Sequence, residues 1–219
     1  MVTDKYTEKL EKVIKQMLEP IKGIPFNIVI ESICGHKVLE YDENNNGHKR
    51  LLSKLIKVAK RTCAEVNKVG IIRSRPNEVG NDIEEYVLAS LAFYKISAQT
   101  PDTNRSRKKQ TGYPDIEIII NNNQKHYIEC KTYSQKTKES SMRTFYLSPS
   151  EDFKVTHAAI HFILGFEVYV DLSIGNNVYK TKSWKILDAY QLECDVKYEF
   201  NSDNKRLYQQ TRVLAEGGV

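Results

Sequence analysis

The chain has 219 residues, of which 40% are apolar and 28% charged, with 10 Gly, 6 Pro and a net charge of +5. That composition fits one folded unit with extensions, excludes a disordered or fibrous chain, and permits a polyanionic partner without demanding one. No window approaches the roughly 20 consecutive apolar residues of a membrane span, and the charged start MVTDKYTEKLEKVIKQ has no signal-peptide core, so a cytoplasmic protein is expected.

Tyr6, Leu10, Val13, Ile14, Met17, Leu18 and Ile21 recur at spacings of three and four, which predicts an amphipathic helix over 4–21, ending before Gly23. FNIVI, residues 26–30, reads as a short strand. A second helix is predicted over 47–68 from Leu51, Leu52, Leu55, Ile56, Ala59 and Val66. Residues 1–76 thus read as a mostly helical N-terminal region, part of the same unit. RPNEVGNDIEEYVLASLAFYKI reads as a turn and then a helix from about Asn81, followed by a strand in ISAQT and a polar, basic loop in PDTNRSRKKQTGY. Residues 114–120 and 125–133 read as two strands joined by a turn at 121–124, a hairpin. Ser148-Pro149-Ser150-Glu151 has the form of a capping box with proline at the first helical position, predicting a helix through Leu164. FEVYVDLSI and ILDAYQLECDVKYEF supply further strand material. The expected fold is α/β, with a mixed central sheet flanked by helices over 77–175 and a C-terminal strand extension and tail over 176–219. Cys34, Cys63, Cys130 and Cys194 contain no CxxC pair, which argues against a zinc ribbon or redox motif and for reduced thiols.

The stretch PDIEIIINNNQKHYIECK, from Pro114 to Lys131, places three chargeable groups on the two hairpin strands. Residues two apart on a strand share a face, so Asp115 and Glu117 point one way while Ile116, Ile118 and Ile120 take the core. On the partner strand Ile128 and Cys130 form the core set, leaving Tyr127, Glu129, Lys131 and Tyr133 opposite. Pairing therefore brings Asp115 and Glu129 together with Lys131 beside them. A solvated hairpin face is the plain reading. The sharper one starts from repulsion: two adjacent carboxylates need a proton or a cation between them, and hard oxygen ligands suit magnesium. Between Thr103 and Leu147 nine Lys or Arg accompany four Asp or Glu, matching the basic excess of the whole chain.

Pro114-Asp115, thirteen intervening residues and Glu129-Cys130-Lys131 resemble the PD-(D/E)XK nuclease signature, and the elements over about 77–175 resemble that superfamily's core. Pro101-Asp102, Asp152-Phe153-Lys154, Asp195-Val196-Lys197 and Asp203-Asn204-Lys205 match fragments of the motif without its strand context. The resemblance implies a restriction-endonuclease-like core and a type II restriction endonuclease that hydrolyses double-stranded DNA with Mg2+, leaving 5′-phosphates. It implies Asp115, Glu129 and the Cys130 carbonyl as metal ligands and Lys131 as the group that orients or activates the attacking water. One active site per chain suggests a homodimer whose two-fold axis matches a palindromic site, with the N-terminal helices as interface. A structure-specific, repair or transposon nuclease would share the hairpin. A non-catalytic DNA-binding module is the alternative from another class, but it leaves both acids beside phosphate unexplained.

Glu84 has two readings. With Asn81 it fits a capping box, worth about 1 kcal/mol; at 100° per residue it also falls beside Val87, Leu88 and Leu91 on the inward face. NEVGNDIEE resembles the start of the first core helix in many restriction enzymes, whose glutamate reaches the metal site, which would make Glu84 catalytic. Glu117 reads as a further acid of the metal site or a salt-bridge partner for Lys125 or Lys131. Lys154, His157 and His161 fall along one polar face of the predicted helix, solvated or DNA-facing. Arg105, Arg107, Lys108, Lys109, Lys136, Lys138 and Arg143 are candidates for phosphate contacts. Trp184 reads as core.

Overall fold

The computed structural model describes residues 2–19, 21–75, 78–109, 111–120, 123–137, 145–173, 177–198 and 205–206. The chain divides into two compact units, residues 24–193 and residues 1–23 with 194–219. In the second of these, α1 (Val2–Leu18) carries an exposed apolar stripe of Leu10, Val13, Ile14 and Met17. The segment after it is fastened by Val196 N–H to Ile21 O at 2.8 Å and Gly23 N–H to Asp195 Oδ1 at 3.0 Å.

The larger unit runs β1 (Ile24–Pro25), α2 (Phe26–Cys34), α3 (Asn46–Val69), β2 (Ile71–Ile72), α4 (Val79–Phe93), β3 (Ser97–Gln99), β4 (Ile116–Ile120), β5 (Gln124–Tyr133), β6 (His161–Val170), β7 (Val178–Asp188) and β8 (Glu193–Cys194). Its main sheet has six strands in the order β2-β7-β6-β5-β4-β3. Only β5 and β6 pair in parallel; every other neighbouring pair is antiparallel, so the sheet is mixed, as expected for this α/β fold.

Strand alternation gives the sheet two different faces. On one, Ile116, Ile118, Ile128, Cys130, Leu164 and Phe166 pack with Leu51, Leu55, Val58 and Val66 of α3 and Ile83, Val87 and Leu91 of α4. Each such side chain contributes roughly 1.5–3 kcal/mol of burial. Cys130 thus puts its sulfur in the core, and Trp184 packs against it from the edge. On the other face Tyr127 and His161 are cross-strand partners and meet Phe26 of α2 and Tyr113 in an aromatic cluster. All four cysteines are free thiols.

Three predicted elements are different in the fold. FNIVI opens helix α2 and is not a strand. Pro25 sits at its N-cap and Gly35 closes it in the left-handed region (φ 72°), its N–H returning to Glu31 O at 2.9 Å. The helix expected through Leu164 does not form: residues 145–160 are irregular and β6 begins at His161. HFILGF is apolar on both faces because β6 lies between β5 and β7 with both faces covered, so its continuous run marks a central strand. Strand β7 starts at Val178, well before the strand material read at Ile186.

Candidate active site

The expected hairpin forms, with Ile116 opposite Ile128 and Glu117 opposite Tyr127. Strand β4 begins only at Ile116 while β5 runs on past its partner Ile128 to Tyr133, so β4 offers no backbone acceptor beyond Ile128. Asp115, in the bend before β4, takes that role: its Oδ2 accepts the Cys130 N–H at 2.8 Å. The carboxylate is thereby fixed at the end of the ladder, beside Glu129.

Glu129 is 4% exposed. Its Oε1 accepts a short hydrogen bond from the Lys131 ammonium, while Oε2 is buried with no protein partner among the described residues. A buried carboxylate oxygen without a donor is costly. Burial pushes the Glu129 carboxyl above the usual range, the Asp115 charge adds to it, and Lys131 only partly offsets the two. Burial works against the Lys131 ammonium, but Glu129 and then Asp115 outweigh it and the net shift is upward. The one ion pair therefore secures the cation while leaving the acid under strain. The Lys131 Nζ also lies 5.8 Å above the Phe145 ring.

Glu84 joins these groups from α4. The helix starts at Val79 with Glu78 at the N-cap and no side-chain capping bond, so Asn81 lies inside it and the capping box does not form. The first turn rests on β5: a Cβ placed on Gly80 would lie 3.8 Å from Thr132 Oγ1. Burial, then the Asp115 charge, pushes the Glu84 carboxyl up to about 7 against the pull of Lys131 and Lys154. The charges of Asp115, Glu129 and Glu84 thus act on one another, each making the others harder to ionise.

Other candidates separate from this centre. Glu117 is buried and occupied, with Lys125 Nζ at 3.2 Å and Gln99 Nε2 at 3.1 Å. Lys154 is not on an exposed helix face; it is buried, donating to Gly112 O and Pro114 O, and burial lowers its ammonium pKa. His157 is exposed and His161 is wholly buried, its Nδ1 hydrogen-bonded to the Tyr113 hydroxyl at 2.6 Å, so the three residues share no face. Arg105, Arg107 and Lys108 project from a turn built on Thr103, whose N–H meets Arg107 O at 2.9 Å; Arg105 pairs with Glu151 at 3.1 Å. Lys109 is half-buried and Lys136 exposed; Lys138 and Arg143 lie outside the described residues. No sequence signal pointed to the Tyr113–His161 and Lys154 contacts around Pro114, because they span forty residues or more.

Residues 20–211 match the family model described as the type II restriction enzyme MjaV family. The chain belongs to that family. It is also 35% identical to the type II restriction enzyme MjaV of Methanocaldococcus jannaschii, over 96% of each chain. Membership makes this chain a type II restriction enzyme, a site-specific endonuclease, and its substrate double-stranded DNA. Type II restriction enzymes generally use a divalent metal ion. Among the described residues no helix is long and apolar enough to cross a membrane.

Proposed function

We propose that this restriction enzyme cuts DNA at the Asp115–Glu129–Lys131 centre, a PD-(D/E)XK site, with Mg2+ as its metal and 5′-phosphate ends as product. The observation that carries the reading is the orphaned Glu129 Oε2, buried beside an Asp115 carboxylate that the Cys130 N–H holds in place. These donors fit a hard cation: Asp115, Glu129 and the Cys130 carbonyl would hold it, and Glu84 would stand close by. Among the described residues no three His, Cys, Asp or Glu side chains form a ready metal cluster. A site of two carboxylates and one carbonyl suits magnesium, which keeps several of its waters. When bound, the metal supplies Lewis acidity toward a phosphoryl oxygen and acidifies water.

The chain's own residues do the rest. Lys131, whose ammonium is stabilised by Glu129, is a fixed positive charge that orients the attacking water and offsets charge building on the phosphate. Arg105, Arg107, Lys108, Lys109, Lys136, Lys138 and Arg143 would track the DNA backbone without reading sequence. Cutting both strands calls for two such centres, which a homodimer supplies; the exposed apolar stripe of α1 supports a second copy there. The enzyme would work in the cytoplasm.

Digestion of a long sequenced duplex tests the reading. Discrete fragments with 5′-phosphates should appear with Mg2+, and be absent with EDTA or with Lys131→Ala. Full cleavage by that variant would overturn the site.

A further inference from the structure

Lys154 is 2% exposed, and its position is set by a job the hairpin does not do for itself. Its Nζ donates to the Gly112 carbonyl at 2.8 Å and the Pro114 carbonyl at 3.1 Å. Those carbonyls flank Tyr113 and end one residue before Asp115. This stretch is outside the sheet, since β4 pairing starts at Ile116. Its side-chain anchor is the hydrogen bond from Tyr113 to His161, and its backbone anchor is Lys154. The Cys130 N–H holds the Asp115 carboxylate itself, and an ammonium gripping both sides of Tyr113 holds the backbone that carries it. Two carbonyls use two of the three ammonium donors, and the charge remains within reach of Asp115, Glu129 and Glu84.

We propose that Lys154 is a positioning residue: it clamps the Gly112–Pro114 backbone so that Asp115 stays aimed at Glu129 and the metal site is pre-formed. The inference rests on the metal-site reading above. A lysine that merely tracked phosphate would be exposed, and one that merely filled space would not meet two carbonyls on one loop.

The test is Mn2+ titration of the full chain by calorimetry without DNA, together with duplex binding in EDTA and melting curves. Wild type is compared with Asp115→Asn, Lys154→Met and Lys154→Gln. Lys154→Met should weaken Mn2+ binding about 10- to 100-fold, as loss of groups supporting metal ligands does, with duplex affinity in EDTA changed no more than about twofold. Lys154→Gln keeps an N–H donor for one carbonyl and should fall in between. Wild-type Mn2+ affinity in a folded Lys154 variant would overturn the proposal, provided that Asp115→Asn loses binding. If Asp115→Asn also binds Mn2+ normally, it is the metal site that fails. A loss confined to duplex affinity, or failure of both Lys154 variants to fold, would reassign the lysine to DNA contact or to the core and equally overturn it.

Discussion

One hairpin carries two acid–lysine pairs and puts them to different uses. In one pair Glu117 is buried, accepts a hydrogen bond from Gln99 Nε2 and forms an ion pair with Lys125. In the other pair Glu129 is buried against Lys131, yet among the described residues one of its oxygens has no donor, and Asp115 and Glu84 add negative charge. A buried carboxylate supplied with enough donors is a structural part; one short of donors and crowded by acids is prepared for a ligand. An acid and a lysine on a strand do not distinguish these cases, but the inventory of partners does.

The largest effect should come from comparing the pairs. Asp115→Asn, Glu129→Gln and Lys131→Ala should each lower the cleavage rate by about 100- to 1,000-fold or more, the usual scale for removing one preorganised charge from a transition state. Glu117→Gln and Lys125→Met should leave the rate near that of wild type. Single-turnover cleavage of a plasmid with one site would measure both sets. Equal losses in both pairs would break the comparison.

Much of this contrast was legible in the sequence because it is local. Strand alternation, the thirteen-residue gap and the position of Ile116 and Ile128 set the register, and the register alone brings Asp115 beside Glu129. Helices α3 and α4 followed from their apolar spacing. The failures are places where tertiary cover overrides a local signal. The sequence HAAIH mimics a helical pair, but His161 begins a strand covered on both faces, and the capping signature at Ser148–Glu151 leads into irregular chain. Lys154 looked like a surface residue because its partners, two main-chain carbonyls, have no side-chain signature.

The buried His161 should make the fold sensitive to acid. Burial lowers its pKa to about 3, and burial lowers that of His126 to about 4. In the unfolded chain both would protonate near 6.5. Stability is therefore full above about pH 6.5 and falls as pH drops toward those folded values, because the unfolded state binds the protons first. Urea titrations from pH 7 to pH 4 should show the loss, and His126→Gln should flatten it.

The acids around Lys131 should act in the opposite direction in metal-free protein. The folded Glu84 carboxyl titrates near 7, above its unfolded value, so its contribution is present below about pH 4.5 and lost as pH rises through 7. Glu84→Gln should accordingly raise stability in EDTA at pH 8 by roughly 1–2 kcal/mol, discounted for its partial exposure, and leave it unchanged at pH 4. Added Mg2+ should stabilise wild type more than the variant. Identical responses in melting experiments would detach Glu84 from the metal site.

The smallest effect belongs to the satisfied pair. Lys125→Met removes one donor from Glu117, but Gln99 Nε2 still reaches the same carboxylate oxygen, and the lysine being lost is partly exposed. The expected destabilisation is about 1 kcal/mol, between a surface ion pair and a buried one, with the metal-dependent rise in melting temperature unaltered. A Lys125→Met chain that lost its response to Mg2+ would mean that the hairpin transmits charge along its length. The difference between the two pairs would then be one of degree, because Glu117 would be acting on the metal through the short segment that joins it to Asp115.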